Sequence, residues 1–493
     1  MTRPLIRLRH AALLPGLALA LLLLLPALAQ ARPDSFADQA EKLLPSVVNI
    51  STTQTVSAPA VDMPQFPPGS PFEEFFKQFP GEPGQNQGQE QGQERQATAL
   101  GSGFIIDSAG YVVTNNHVID GAEEIEVILQ DDTRLPATLI GTDAKTDLAL
   151  LKVESDDPLP AVGWGNSDTL RVGDWVLAIG NPFGLGGTVT AGIVSARSRN
   201  INAGPYDDFI QTDASINRGN SGGPMFDTEG RVVGVNTAIF SPSGGNIGIG
   251  FAVPSAMAEP VIAQLKDKGR VTRGWLGVSI QTVTEEIAEG LGLDEARGAL
   301  VAQVQPDGPA AKAGFEQGDV VLLFDGKAIG EMRDLPRVVA QTEVGRTVPV
   351  DIMRGGKERS LKATVAEMSD PVQVSARPDA TPEAGKGDAE IAALGLTVAP
   401  LDDAARDALD LAADAKGLVI ARVDPTGPAA EKGLRQGDVI TQAERKAVTS
   451  AEDLHEAVER AGKEGRKAVL LLVDRAKQPL FVAVRIDAGK AHG

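Results

Sequence analysis

The sequence predicts a mostly β protein, with an all-β barrel or sandwich between about Leu100 and Pro254 and two small, related domains behind it. Three observations carry this. Short runs rich in β-branched residues recur about every ten residues between turn signals, among them GSGFIID, GYVVTNNHV, LALLKV, WVLAIG and VVGVNTAIF. The block GALVAQVQPDGPAAKAGFEQGDVV at 298–321 returns as GLVIARVDPTGPAAEKGLRQGDVI at 417–440, and 13 of the 24 positions are identical, which marks two copies of one domain. A chain of 493 residues with 42% hydrophobic and 23% charged residues is long enough for two to four domains with real cores.

The elements follow in order. Arg3, Arg7 and Arg9 precede the apolar run AALLPGLALALLLLLPALA and the small-residue stretch ALAQA, the layout of a cleaved export signal over residues 1–31. FADQAEKLLPSVVNI opens the mature chain with a short helical pattern. Residues 57–97 are rich in Pro, Gly and Gln and bury little, so they read as a long loop; FEEFFKQF inside it is either a capping turn or a sticky docking element. The strand-rich region then runs to Pro254, and SAMAEPVIAQLKDKG reads as a helix ended by Gly269. The expected domains are 32–268, 270–368 and 389–488, with a polar, proline-bearing linker at 369–388.

Composition excludes several functions. A net charge of −20 argues against nucleic acid as a partner, because phosphate binding needs a basic surface. The absence of cysteine removes disulfides, thiol nucleophiles and thiolate zinc sites. Neither a G-x-x-x-x-G-K-[ST] loop nor an H-E-x-x-H pair occurs, so the sequence supports neither that type of ATPase nor that metal chemistry.

The stretch GNSGGP, with Ser221 at its centre, is the main candidate for chemistry. A serine hydroxyl needs a base to take its proton and a carboxylate to hold that base in the right tautomer. Of the four histidines, His10, His117, His455 and His492, only His117 lies in the strand-rich region, in TNNHVID, where a strand should end in a loop. His455, in EDLHEAVER, reads as a helix-surface residue. Asp120, Asp131, Asp132, Asp143, Asp147 and Asp157 all lie between His117 and Ser221; Asp147 stands out because it directly precedes the apolar run LALLKV. The resulting order, His117, Asp147, Ser221, is that of chymotrypsin-like barrels. The glycines allow backbone amides at Gly219 and Ser221 to converge on a developing oxyanion.

TNNHV, TDLALLKV and GNSGGP, followed by the two GPAA…QGDV domains, resemble the HtrA/Deg serine proteases, and two PDZ domains behind an export signal resemble the Deg-type (Do-like) branch. The resemblance spans nearly all of the mature chain. It implies a chymotrypsin-like double β-barrel followed by two small α/β PDZ domains. It also implies no cofactor or metal, and a trimeric unit with larger assemblies on substrate. Carried over, His117 is the general base, Asp147 orients it and Ser221 is the nucleophile; Gly219 and Ser221, with Asn220 in the same loop, form the oxyanion hole. Ile216, Ile239 and Ile249 match the lining of a small apolar primary pocket, and Arg199 falls in the loop that relays peptide binding to the active site. Residues 57–97 match the family's long regulatory loop.

PDZ domains add a peptide as an extra strand and hold its C-terminal carboxylate in a loop of backbone amides. The expected loop is Arg273, Gly274, Trp275, Leu276, Gly277 and Val278 in the first domain, and Leu394–Val398 in the second, which lacks the arginine and the aromatic and so suits assembly more than capture. The expected function is an ATP-independent serine endopeptidase that degrades unfolded periplasmic proteins after small aliphatic residues, activated through the PDZ domains, with possible peripheral membrane contact. The alternatives are a holdase chaperone with a mostly latent protease site, and a regulatory protease that cuts one anti-sigma factor.

Overall fold

The computed structural model describes residues 35–56, 95–181, 187–217, 219–241, 245–368 and 388–487. The export signal, the Phe-rich stretch and most of the linker lie outside the described residues. The chain forms two compact units: residues up to Lys266 except 202–207, and residues 267 onward together with 202–207.

The first unit holds two closed six-stranded barrels. The first comprises β1 (Val47–Val56), β2 (Arg95–Asp107), β3 (Tyr111–Thr114), β4 (Glu124–Ile128), β5 (Arg134–Asp143) and β6 (Leu148–Val153), in the order β1-β2-β3-β6-β5-β4. The helical pattern at the start is real but short: a helix over Ala37–Leu43 and one 3₁₀ turn lead straight into β1, so VVNI is already strand. β1 and β2 pair without interruption from Val47 opposite Phe104 to Val56 opposite Arg95. The expected loop therefore loses its last residues, 95–97, to a ribbon, because antiparallel ladder bonds satisfy the backbone there. LALLKV is buried at every residue but Lys152, and packs Ala149, Leu151 and Val153 against Val48, Ile50, Val112 and Val127.

The second barrel comprises β7 (Trp175–Gly180), β8 (Thr188–Arg199), β9 (Phe209–Thr212), β10 (Pro224–Phe226), β11 (Val232–Ile239) and β12 (Gly250–Pro254), in the order β10-β11-β12-β9-β8-β7. Its core contains Val176, Val194, Ile210, Met225, Val233 and Ala252. The expected helix follows at Ser255–Lys268, and Gly269 ends it in the left-handed region at φ +67°.

The second unit repeats one sheet twice. Its first half contains β13 (Gly274–Trp275), β14 (Val278–Thr282), β15 (Ala299–Val304), β16 (Val320–Phe324), β17 (Lys327–Ala328), β18 (Thr347–Arg354), β19 (Lys357–Thr364) and β20 (Ala366–Glu367). The main sheet runs β14-β15-β16-β18-β19, and β13 pairs with β20. Its second half contains β21 (Ala389–Ile391), β22 (Leu396–Pro400), β23 (Leu418–Val423), β24 (Val439–Ala443), β25 (Lys446–Ala447), β26 (Ala468–Arg475) and β27 (Gln478–Arg485), in the order β21-β22-β23-β24-β26-β27.

The QGDV motif repeats for a structural reason. Asp319 is fully buried and receives Arg354 Nε at 2.6 Å and Nη2 at 2.7 Å; Asp438 receives Arg475 Nε at 2.7 Å and Nη2 at 2.6 Å. Each carboxylate also accepts a backbone N–H, from Glu316 or Arg435. Such paired, fully bonded charges tolerate burial, and Asp319 and Asp438 raise the pKa of their arginine partners.

β26 explains itself only through both halves. Its alternate residues Val469, Leu471 and Val473 enter the core of the second half; Ala468, Leu470 and Leu472 pack with Phe481 against Val283, Ile287, Leu291, Leu300 and Leu322 of the first. The unbroken apolar run AVLLLV is thus a strand covered on both faces. Gln281 seals the seam: its Nε2 donates to the Phe481 carbonyl at 2.6 Å, and its Oε1 accepts from the Phe481 N–H at 2.9 Å. Lys432 donates to Glu286 across the same seam at 2.8 Å and brings that carboxyl down to about 2. Burying a side chain the size of Leu or Phe contributes about 1.5–3 kcal/mol, so the apolar seam dominates the exposed ion pair.

Candidate active site

Local sequence puts the three candidate side chains at strand ends. Thr114 ends β3, and His117 follows on a short helical turn, Asn116–Ile119, rather than in an open loop. Asp147 immediately precedes β6 in the left-handed region at φ +56°. Ser221 precedes β10, in a turn between Gly219 at φ +96° and Gly222 at φ +85°.

Asp147 holds His117 at two points. Its Oδ2 lies 2.6 Å from His117 Nδ1, and its Oδ1 accepts the His117 backbone N–H at 2.9 Å. Its own carbonyl accepts from the Asn116 N–H at 3.1 Å and from Asn115 Nδ2 at 2.7 Å. These bonds explain the strained backbone, since an αL residue persists only when its surroundings over-determine it. Of the acidic candidates between His117 and Ser221, the structure joins Asp147 to His117. Asp143, which is more buried than the half-buried Asp147, accepts from Thr146 instead.

The serine turn is clamped from the other barrel by Ser102 on β2. The Ser102 hydroxyl donates to the Gly219 carbonyl at 2.5 Å and accepts the Asn181 N–H at 2.8 Å. Its N–H donates to the Ser221 carbonyl at 2.9 Å. Gly222 is obligatory: a Cβ there would come within 2.2 Å of the Ser102 carbonyl oxygen and 2.3 Å of Thr114 Oγ1. The Ser221 hydroxyl donates to the Thr237 carbonyl at 3.3 Å, a long bond. Among the described residues, no protein acceptor takes the N–H of Gly219 or of Ser221. The Asn220 N–H donates to the Asn217 carbonyl at 3.0 Å, and its side-chain oxygen lies against Gly180.

Two residues that the sequence reading missed tie this site together. Asn115 is fully buried and divides its amide protons between the Asp147 carbonyl and Thr237 Oγ1. Ser102 is the other. Neither carries a signal in the sequence: Ser102 lies between two glycines inside β2, and Asn115 sits in the polar stretch 114–117.

The pocket candidates gather around β12. Ile216 and Ile239 are buried and Ile249 half-buried. Ile239 pairs with Gly250, and a Cβ on Gly250 would meet Ile216 Cγ1 at 2.7 Å, so a side chain there would displace Ile216. Arg199 is exposed at the end of β8 and donates to Gln211 Oε1 at 2.9 Å.

Family comparison matches residues 101–235 to the trypsin-like peptidase domain and residues 274–365 and 392–486 to the PDZ domain. A protein of Brucella suis named a probable periplasmic serine endoprotease, DegP-like, is 45% identical over 472 residues, covering 92% of this chain and 90% of that one. A protein of the same name from Pseudomonas fulva is 45% identical over 469 residues, covering 93% and 95%. This chain belongs to the DegP-like, HtrA-type serine endoproteases. The solved structure of the HtrA-type protease AlgW with a decapeptide is 42% identical, covers 68% of this chain and all of its own, and superposes with a TM-score of 0.55.

In this HtrA-type endopeptidase the PDZ loop residues divide by role. Leu276 is buried in the domain core with Leu335, Val338 and Val339, so it supports the loop rather than lining an open groove. Gly274 passes so close to the Val339 carbonyl that a Cβ would lie 2.2 Å from it. Trp275 lies over Gly277, and Val278 is half-buried at the start of β14. Arg273 places its guanidinium 4.9 Å from the centre of the Tyr206 ring, a cation–π stack. His455 sits on the exposed face of the helix Ala451–Lys463, 3.3 Å from Glu459.

Proposed function

We propose that this endopeptidase works through a triad of Ser221, His117 and Asp147. The observation that carries the reading is the 2.6 Å contact between His117 Nδ1 and Asp147 Oδ2, reinforced by the His117 backbone bond to the same carboxylate. Asp147 fixes Nδ1 as the protonated nitrogen, which leaves Nε2 as the base. Ser221 gives its proton to Nε2 and attacks the scissile carbonyl. The amides of Gly219 and Ser221 receive the oxyanion. The imidazolium then protonates the leaving amine, and water, activated by the same base, releases the acyl group. Ile216, Ile239 and Ile249 favour small aliphatic side chains at the cleavage position and disfavour Arg and Lys.

The half-buried Val278, the loop at Gly277 and the peptide-bound AlgW structure support capture of C-terminal peptides at the first PDZ domain. The relatives' names support work in the periplasm as a serine endoprotease. The proposed function extends to unfolded proteins as substrates, cleavage without ATP, a trimer or larger assembly, and Arg199 in the relay from PDZ to active site.

The Ser221 hydroxyl gives its one proton to the Thr237 carbonyl, and that bond favours a second reading, a holdase whose protease site rests unengaged. One experiment separates the two: unfolded casein incubated without ATP with the wild-type protein and with Ser221→Ala, and fragments read by mass spectrometry. Cuts after Val, Ala or Ile by wild type alone support the protease. No cuts, with casein aggregation suppressed by both proteins, supports the holdase.

A further inference from the structure

The two PDZ domains carry the same carboxylate loop but present it differently. In the first, the Gly277 carbonyl accepts from the Gln305 N–H at 2.9 Å and the Leu276 carbonyl from Ala310 at 2.8 Å. In the second, the Gly395 carbonyl accepts from Asp424 at 2.9 Å and the Leu394 carbonyl from Ala429 at 3.1 Å. Gly277 and Gly395 share a left-handed backbone, at φ +79° and +69°. The loop is thus built in both copies, and its inward-facing amides are the question.

In the second domain those amides are taken. The Leu394 N–H donates to the Ile391 carbonyl at 3.0 Å, and the Gly395 N–H donates to the Ala392 carbonyl at 3.2 Å. In the first domain, among the described residues, no acceptor takes the N–H of Leu276 or Gly277. The strand beside the loop differs in the same sense. β14 pairs with β15 alone and leaves its other edge open among the described residues. β22 pairs with β23 on one edge and with β21 on the other: Ala389 opposite Val398, Glu390 opposite Thr397 and Ile391 opposite Leu396. β21 runs antiparallel to β22 with its C-terminal end at the carboxylate loop, the direction in which a PDZ ligand enters. It also touches the helix Ala451–Lys463, and Ile391, 3% exposed, joins a cluster with Leu454, Ala457 and Val458 of that helix. The equivalent groove residues report the cover. Val278 and Ile280 are half-buried in the first domain, whereas Leu396 and Val398 are buried to 2% and 0% exposure in the second.

We infer that the second PDZ domain holds residues 389–391 of its own chain as a built-in strand ligand, with Ile391 in the place of a peptide's terminal apolar side chain, so each chain offers one peptide site, in the first domain. The inference rests on the reading of the PDZ loops as peptide sites. Only four residues, 392–395, separate the ligand strand from its receptor strand. A tether that short sets an effective concentration of about millimolar or higher, which a free peptide of ordinary micromolar affinity does not overcome. The arrangement also covers an edge strand that would otherwise invite pairing with another chain.

The test uses the full chain carrying Ser221→Ala, titrated with a fluorescein-labelled decapeptide ending in valine, with stoichiometry from anisotropy and amide exchange followed by mass spectrometry. The expected result is one peptide per chain, lost in Val278→Lys, and strong exchange protection at Leu394 and Gly395 without peptide. In Ile391→Asp and in Glu390→Pro, two substitutions that dislodge β21 by different means, a second site appears and that protection falls at least tenfold. Two sites per chain before any substitution overturn the inference, as does exchange at Leu394 and Gly395 as fast as at Leu276 and Gly277. No binding at all, with Leu394 and Gly395 still protected, supports the filled second domain and rejects the first domain as the peptide reader.

Discussion

Ser102→Ala tests how far the serine turn depends on the opposite barrel. The substitution removes one hydroxyl and two bonds, to the Gly219 carbonyl at 2.5 Å and from the Asn181 N–H at 2.8 Å, at a residue with no exposed surface. Stranding a buried carbonyl costs about 1–3 kcal/mol, and the second bond adds about 1 kcal/mol, so a loss of roughly 2–4 kcal/mol is divided between stability and catalysis. The catalytic share is bounded above. Losing a whole oxyanion donor costs about 10²–10³ in kcat. The Ser102 backbone bond to Ser221 survives the substitution, so the turn loosens rather than collapses. The expected fall in kcat is therefore about 10- to 100-fold, with KM changed by less than about threefold. The assay is hydrolysis of a chromogenic peptide with valine at the cleavage position, beside thermal unfolding of the same sample. A kcat within twofold of wild type would refute the reasoning, whatever happens to the melting temperature, because Ser102 would then be only a barrel-packing residue.

Other predictions follow from the same bonds. Asp147→Asn should lower kcat about 10⁴-fold while the protein remains folded, because the amide cannot hold the Nδ1–H tautomer; a loss below tenfold at neutral pH would remove Asp147 from the triad. Asp319→Ala should destabilise the PDZ unit by about 3 kcal/mol, read by urea unfolding, because Arg354, mostly buried, loses its two bonds to the buried carboxylate and keeps only exposed Glu316 as a counter-charge; a change below 1 kcal/mol contradicts that. The Glu286 carboxyl, held down to about 2 by Lys432, contributes to the PDZ seam above its ordinary range near 4.5. That contribution declines as pH falls from about 4.5 to 2, and Lys432→Met should flatten the dependence in that window; an identical acid profile in the variant counts against the pair.

Much of this was legible in the chain. The spacing of β-branched runs announced an all-β barrel or sandwich, the repeat announced two related small domains, and scarcity made His117 the only histidine that could serve Ser221; the second barrel and the PDZ identity came with the family resemblance. These are local signals: strand period, turn chemistry and residue identity. The sequence left several acidic candidates open, because which carboxylate reaches an imidazole depends on the antiparallel pairing of β3 with β6, strands separated by more than thirty residues of chain. It gave no sign that Ser102 would hold the Gly219 carbonyl, or that Asn115 would link Asp147 to Thr237, since the Ser102–Gly219 and Asn115–Thr237 bonds span one barrel to the next.

The two PDZ loops draw the line most clearly. RGWLGV and IAALGL share only the central Leu-Gly, and the sequence alone determined that both would turn at a glycine into a strand. Only the tertiary structure decided that Ile391 folds back onto Leu396 and fills the second groove, while β14 keeps an open edge among the described residues. It likewise decided that AVLLLV would be covered on both faces, by its own core and by the neighbouring domain. Local chemistry selects conformation residue by residue; which amide meets which carbonyl across a hundred residues is settled only when apolar surfaces close over both.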